Sequence, residues 1–253
     1  GYQKTYHEQI NELISNYGPL FEFWFDGANG GNGWYGGADE SRSINPKAYY
    51  GYETGREMIK SKHPDAMIFG GTVPDIRWIG NESGWAGETN WAPYSYDKEE
   101  HYSQAQWGMK DGDKWLPGEC DVSIRPGWFY HAEEDSKVKS LKHLADIYFQ
   151  SVGYNSVLLL NIPPDRRGLI NEADVQRLNE FAAYREKIFT NNRVEKGRKD
   201  WEAVSGSEAV YSLKPESEIN VVMLQEDITK GQRVESFTVE ALTEEGWQEV
   251  AKG

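Results

Sequence analysis

Short apolar runs alternate with helix-like segments along the first two-thirds of this chain. Apolar residues recur at helical spacing between and after the runs, over 47–62, 137–150 and 172–188. The runs that have the length and composition of buried strands are Leu20–Phe25, Ala66–Gly71, Asp121–Arg125 and Ser156–Asn161. Repetition of strand and helix predicts parallel βα units in an α/β fold. Four units are half of an eight-stranded barrel, and an open doubly wound sheet is the alternative.

The glycine-rich stretch Gly27–Gly37 bears on that alternative. It lacks the lysine of a phosphate-binding loop and the spacing of a dinucleotide fingerprint, which argues against a nucleotide-binding sheet. We interpret it as a flexible loop over a site.

Both ends of the chain carry patterns of their own. Residues 3–16 place apolar side chains on one helical stripe for which no upstream segment provides a surface, so we expect Gly1 to begin a fragment. After residue 190 the helical periodicity stops, and 219–228 and 233–241 are predicted strands joined by a turn. We therefore predict that residues 1–190 form part of a (β/α)8-like (TIM-type) barrel lacking its N-terminal strands. Residues 191–253 are predicted to begin an antiparallel β-sandwich.

Composition excludes several classes of protein. The net charge of −14 argues against nucleic acid or an anionic membrane as a partner. The single cysteine, Cys120, rules out an intrachain disulfide, and the five histidines lack metal-ligand spacing, so we expect no metal and no organic cofactor. No apolar run is long enough to span a bilayer, and no signal peptide is visible. The ten Trp and fifteen Tyr fit either a sugar-binding surface or the filling of a barrel.

Asp26 is the first candidate for chemistry. It follows an aromatic strand, and in a parallel barrel the active site collects at the C-terminal ends of the strands. The alternative is that Asp26 caps the next helix or begins a turn, since Asp-Gly is a common turn pair.

The segment 74–82 is the second candidate, because it offers Arg77 beside Glu82 after another strand. An arginine can hold a carboxylate ionised, and a glutamate near Trp78 can serve as a general acid. The alternative is a surface ion pair between Asp75 and Arg77, with Glu82 merely solvated.

The segment 118–131 is the third candidate. Glu119 is expected to precede its strand, and Trp128 to lie in the loop after it, where it could line a sugar pocket. The alternative makes Trp128 core filler and pairs Arg125 with Asp121.

These segments together resemble glycoside hydrolase family 29, the α-L-fucosidases. The run 23–27 (FWFDG) is similar to the family's nucleophile motif, and 75–78 (DIRW) to its Asp-x-Arg-Trp segment. The run 73–82 looks most like the subfamily specific for α-1,3/1,4-linked fucose, and SIRPGWFYH, LLLNIPPDRRGLI and LQEDITKGQRVESFTVEA are similar to further family segments.

The resemblance implies a retaining exo-glycosidase that removes fucose from branched glycans. It assigns Asp26 as the nucleophile and Glu82 as the acid/base, about 5–5.5 Å apart with substrate bound. Glu119 is the second choice for acid/base, because the other subfamily's residue aligns there. The residues implied in substrate binding are Arg77, Trp128, Trp24, Trp78 and, for the aglycone, Trp34 and Tyr35.

The same resemblance implies a periplasmic or extracellular location, and it leaves the oligomeric state open. The family's fucose-binding histidines lie in earlier strands, so we expect this fragment to be poorly active by itself. The rival hypotheses are an inactive carbohydrate-binding barrel, an inverting mechanism, and a glycosidase acting on another sugar.

Overall fold

The structure, a computed structural model, describes residues 1–26, 33–195, 204, 206–215 and 217–253. These divide into two compact units: residues 1–122 with 146–161, and residues 123–145 with 162–253. The domain boundary expected after residue 190 stays a prediction. No helix among the described residues is long and apolar enough to cross a membrane.

The elements follow one another as the alternating pattern predicts, with additional short strands. The helices are α1 Tyr2–Asn16, α2 Pro46–Tyr50, α3 Tyr52–Lys62, α4 Leu141–Ser151 and α5 Glu172–Phe189. The strands are β1 Glu22–Phe25, β2 Gly33–Tyr35, β3 Glu40–Arg42, β4 Met67–Gly70, β5 Arg77–Trp78, β6 Pro93–Tyr94, β7 Lys114–Trp115, β8 Gly118–Ser123, β9 Ser156–Asn161, β10 Thr238–Thr243 and β11 Gly246–Lys252. Short 3₁₀ helices cover Gly36–Ala38, Tyr96–Lys98, Tyr102–Gln106, Ala132–Lys137, Val152–Tyr154 and Ile228–Lys230.

Parallel pairing runs through the centre of the first unit. β1 pairs with β4 and β5 with β8, both parallel, and β9 is hydrogen-bonded to the other side of β8. A parallel bridge between Phe69 and Ile76 joins the two groups of strands. This confirms the α/β class with parallel strands. Within the described ranges the strands do not close into a barrel, so barrel and sandwich remain predictions.

Helix α1 forms because Tyr6, Ile10 and Ile14 recur four residues apart and cover the outer side of this sheet. Ile10 and Ile14 are buried in one cluster with Phe25 of β1 and Ile59 of α3. Elements that follow α1 in the sequence therefore provide the surface that this stripe covers.

The helix expected over 47–62 is two helices. Gly51 has φ +64°, a left-handed conformation that glycine adopts without the steric cost of a side chain. A Cβ there would also lie 2.2 Å from the Gln3 amide nitrogen. The chain therefore turns between α2 and α3.

Two predicted strands need correction. The strand expected at 121–125 is β8, which begins at Gly118, so Glu119 lies within the strand and not before it. The strand expected at 219–228 is absent from the described structure, and the one expected at 233–241 starts only at Thr238. β10 pairs instead with β11, antiparallel, as a hairpin.

In the second unit, α5 begins where the sequence predicts. The side chain of Asn171 accepts a hydrogen bond from the Ala173 N–H and so caps the helix.

Candidate active site

Strand alternation sets which side chains of β1 face away from the helices. Phe23 and Phe25 pack in the cluster that α1 and α3 cover, so Glu22 and Trp24 point to the opposite face of the sheet. On that face Trp24 packs against Phe69 of β4, with ring centroids 5.2 Å apart. Asp26 follows β1 directly and is exposed at the C-terminal end of the strand.

Side chains also alternate between the two faces of the sheet along β5 and β8. Ile79 and Cys120 are buried together on one side. Trp78 is in register with Glu119 on the other side, and its indole N–H donates to Asp121, two residues further along β8, at 2.7 Å. Thus Glu119 and Asp121 line the same face as Trp78.

Glu119 is the most deeply buried carboxyl group of this face, with 0% of its surface exposed. Its oxygens accept no hydrogen bond from an N–H or O–H group of the described residues. Burial first, and then the neighbouring carboxyl of Glu22, raise the pKa of Glu119 from 4.5 to about 8. Burial also raises the pKa of Glu22, while its contact with Glu119 acts in the opposite direction. Burial and the adjacent carboxyl group therefore both favour the protonated form of Glu119.

Asp121 connects this buried pair to the exposed carboxyl groups. Its side chain is 3% exposed, and burial raises its pKa, opposed by the hydrogen bond from Trp78. The charges of Glu82 and Asp26 raise the pKa of Asp121 further. Asp26 follows β1 and Glu82 follows β5, and since these strands run parallel, both residues lie at the C-terminal end of the strands.

Glu82 lies in the loop after β5 and is exposed. The preceding Asn81 shapes this loop, since its side chain donates to the Trp85 carbonyl at 2.9 Å and accepts from the Ser83 N–H at 3.0 Å. Exposed Asp26 and Glu82 can reach a ligand, whereas Glu119 cannot without a rearrangement of β8.

Arg77 differs from expectation. It is fully buried on the side of the sheet opposite Trp78, and its guanidinium donates to the carbonyls of Ala105, Ala92 and Leu116 and to the side chain of Asn90. Burial lowers its pKa to about 10. The expected contact with sugar or with Asp26 is therefore not available, and Arg77 instead ties main-chain segments together.

The two alternative ion pairs are also corrected. Asp75 binds Arg56 at 2.6 Å and Lys60 at 2.8 Å, not Arg77. Arg125 in the second unit binds Asp174 and Asp135, each at 2.9 Å, and not Asp121.

The other aromatic residues predicted to bind substrate lie in different parts of the structure. Trp34 and Tyr35 belong to β2, which pairs with β3 as a hairpin, and Trp34 is exposed. The predicted flexible loop falls partly on residues 27–32, which are outside the described residues. Trp128 is half-buried in the second unit.

Two residues of the site were not predicted, Glu22 and Asp121. A signal exists in the sequence: in both strands acidic residues alternate with apolar ones, Glu22 before Phe23 and Asp121 between Cys120 and Val122. Alternation of this kind indicates carboxyl groups on one face. Among the residues described, no group of three or more His, Cys, Asp or Glu is arranged to hold a metal ion.

Comparison with known proteins places the chain as a whole in one family. Residues 1–188 match the family model described as alpha-L-fucosidase. Alpha-L-fucosidase 1 of Arabidopsis thaliana is 35% identical over 288 residues, covering 100% of this chain and 54% of that protein. The chain spans about half the length of the curated relatives it matches.

Solved structures agree. A candidate α-L-fucosidase from Bacteroides ovatus ATCC 8483 is 50% identical with a TM-score of 0.83, covering 100% of this chain and 45% of that one. A glycoside hydrolase family 29 fucosidase from Ruminococcus gnavus in complex with fucose is 31% identical with a TM-score of 0.63, covering 76% and 39%. The chain belongs to the α-L-fucosidases of glycoside hydrolase family 29.

Proposed function

We propose that this chain provides the two catalytic carboxyl groups of a retaining α-L-fucosidase, Asp26 as nucleophile and Glu82 as acid/base. The observation that carries the proposal is the position of the two exposed side chains, Asp26 directly after β1 and Glu82 in the loop after β5, at the C-terminal ends of parallel strands. Two exposed carboxyl groups at one end of the strands fit glycoside hydrolysis, which uses a carboxyl pair flanking the scissile bond.

Glu82 is favoured over Glu119 by exposure. An acid/base must reach the glycosidic oxygen and then a water molecule. Glu82 is exposed in a loop, whereas Glu119 is fully buried against Glu22. Glu119 has the raised pKa of a general acid, but the cause is a closed environment that excludes the substrate as well as water.

The reaction proceeds in two displacements. The Asp26 carboxylate attacks the anomeric carbon, the glycosidic C–O bond breaks, and Glu82 transfers its proton to the leaving oxygen. Glu82, now a carboxylate, takes a proton from water, and the water oxygen displaces Asp26 from the same carbon. Two inversions return the α-anomer of fucose.

The substitution Asp26→Gly in the natural gene product that carries this chain tests the assignment. We expect turnover of an aryl α-L-fucoside to fall by about a thousandfold or more, with partial recovery in azide, which replaces the missing nucleophile. Asp65→Asn is the matched control, because Asp65 is exposed ahead of β4, at the opposite end of the strands. Full activity of Asp26→Gly would end the proposal.

We also propose that the substrate carries α-1,3- or α-1,4-linked fucose. Residues 73–82, which include Glu82, support this through their similarity to the corresponding subfamily segment. We expect the natural gene product to release fucose faster from α-1,3- or α-1,4-linked oligosaccharides than from α-1,2-linked ones. A preference for α-1,2 linkages would reject this specificity.

A further inference from the structure

Two aromatic rings form an exposed surface beside the loop that carries Glu82. The rings of Trp78 and Tyr102 are nearly parallel, with an interplanar angle of 14° and centroids 6.1 Å apart. Trp78 is 38% exposed and Tyr102 is 54% exposed. Burial in a core does not explain rings that remain this open to solvent. We call this pair the Trp78–Tyr102 platform.

The indole of Trp78 is fixed from behind. Its N–H donates to the carboxyl group of Asp121, which is buried in β8. A hydrogen bond to a buried carboxyl group restricts the rotation of the indole, so the ring keeps its orientation before a ligand arrives.

Tyr102 is held against the loop of Glu82 by its main chain. Gly80 has φ +89°, and a Cβ at that position would lie 2.8 Å from the Tyr102 carbonyl oxygen. The 3₁₀ turn that starts at Tyr102 is capped, since the His101 ring accepts from the Ser103 N–H at 3.2 Å and the Gln104 side chain accepts from the His101 N–H at 3.3 Å. The loop 80–82 and the platform are thus one packed assembly.

The role of Glu82 indicates which part of the substrate lies against this platform. An acid/base protonates the oxygen between fucose and the leaving group, so the leaving group lies next to Glu82 during the reaction. We propose that the Trp78–Tyr102 platform binds the leaving-group sugar of the substrate by stacking against its C–H face. Tyr102 thereby determines the preference for substrates whose leaving group is a sugar. This inference rests on the proposed function, because it takes Glu82 as the acid/base.

The test compares two substrates that share fucose and differ in the leaving group. α-L-fucosyl fluoride releases fluoride, which has no ring to stack, whereas an α-1,3/1,4-fucosylated oligosaccharide releases a sugar. For Tyr102→Ala in the natural gene product, we expect kcat/KM for the oligosaccharide to fall about tenfold and kcat/KM for the fluoride to change less than about twofold. Tyr102→Phe keeps the ring and should restore most of the oligosaccharide activity.

Tyr17→Ala is the matched control, since Tyr17 is an exposed tyrosine that precedes β1 at the end opposite Asp26. It should leave both substrates unchanged. An equal loss on both substrates with Tyr102→Ala would overturn the inference, as would unchanged turnover of both. Failure of the proposed function has a separate signature, which is fluoride hydrolysis that survives in Asp26→Gly.

Discussion

Glu119 and Glu22 are neighbouring carboxyl groups, and burial disfavours the charged form of each. The pKa of Glu119 is raised to about 8 in the folded protein, above the 4.5 of an unfolded chain. Between these values the folded state binds more protons than the unfolded state, so the free energy of unfolding decreases as the pH rises from about 4.5 to about 8. Above about pH 8 Glu119 is charged in both states, and the free energy of unfolding is lowered by the full cost of burying that charge.

The substitution Glu119→Gln should therefore stabilise the protein at alkaline pH. The amide can donate to Glu22 at any pH, so we expect the free energy of unfolding at pH 9 to increase by about 1–3 kcal/mol and to change little at pH 5. Urea denaturation at the two pH values measures this, with the exposed Glu12→Gln as control. An identical pH dependence in Glu119→Gln and the unmodified protein would contradict the raised pKa of Glu119.

The fate of Arg77 shows how far single residues can be predicted from sequence. Asp26 and Glu82 follow strands, and their exposure at one end of the sheet follows from that position. Arg77 was expected to bind substrate because residues 75–78 resemble the family's Asp-x-Arg-Trp segment, whose arginine is implied in substrate binding. β5 is only two residues long, and so short a strand has no visible alternation in the sequence. Which of the two side chains faces the site therefore had to come from the pairing with β8.

Among secondary-structure elements, α1 offers the clearest test of packing, because Ile10 and Leu13 lie on the same predicted stripe. Ile10 is 1% exposed, whereas Leu13 is 46% exposed. Ile10→Ala should lower the free energy of unfolding by about 2–4 kcal/mol, because it leaves a cavity against Phe25 and Ile59. Leu13→Ala should cost less than about 1 kcal/mol. Equal losses in urea denaturation would mean that α1 is not seated on the sheet as described.

Element boundaries were predictable where packing and propensity agree. The helical spacing and Asn171 located α5 within a residue, since periodicity and the cap point to the same start. At 219–228 the β-branched residues favour a strand, but a strand also needs a hydrogen-bonding partner, and β10 pairs with β11 instead. Long-range pairing has no local signal, which is also why β5 between β4 and β8 was not predicted.

At the scale of the whole molecule, the net charge affects the stability of the folded state. Forty-one acidic and twenty-seven basic residues give −14 at pH 7 with a pI near 4.9. Ion pairs such as Arg125 with Asp174 are buried and respond little to dissolved salt. The excess of negative charge on exposed residues repels itself in the compact state and is screened by salt.

Added salt should consequently raise the thermal stability at neutral to alkaline pH. Between about 10 mM and 200 mM NaCl at pH 8, relief of roughly 1 kcal/mol of repulsion corresponds to an increase in Tm of about 2–4 °C. Near pH 5 the net charge approaches zero, so the same change in salt should move Tm by less than about 1 °C. Scanning calorimetry at both salt concentrations and both pH values measures these changes in Tm. A Tm that falls with salt at pH 8 would mean that attractive surface ion pairs, not the excess of carboxylates, dominate the electrostatic free energy of the folded state.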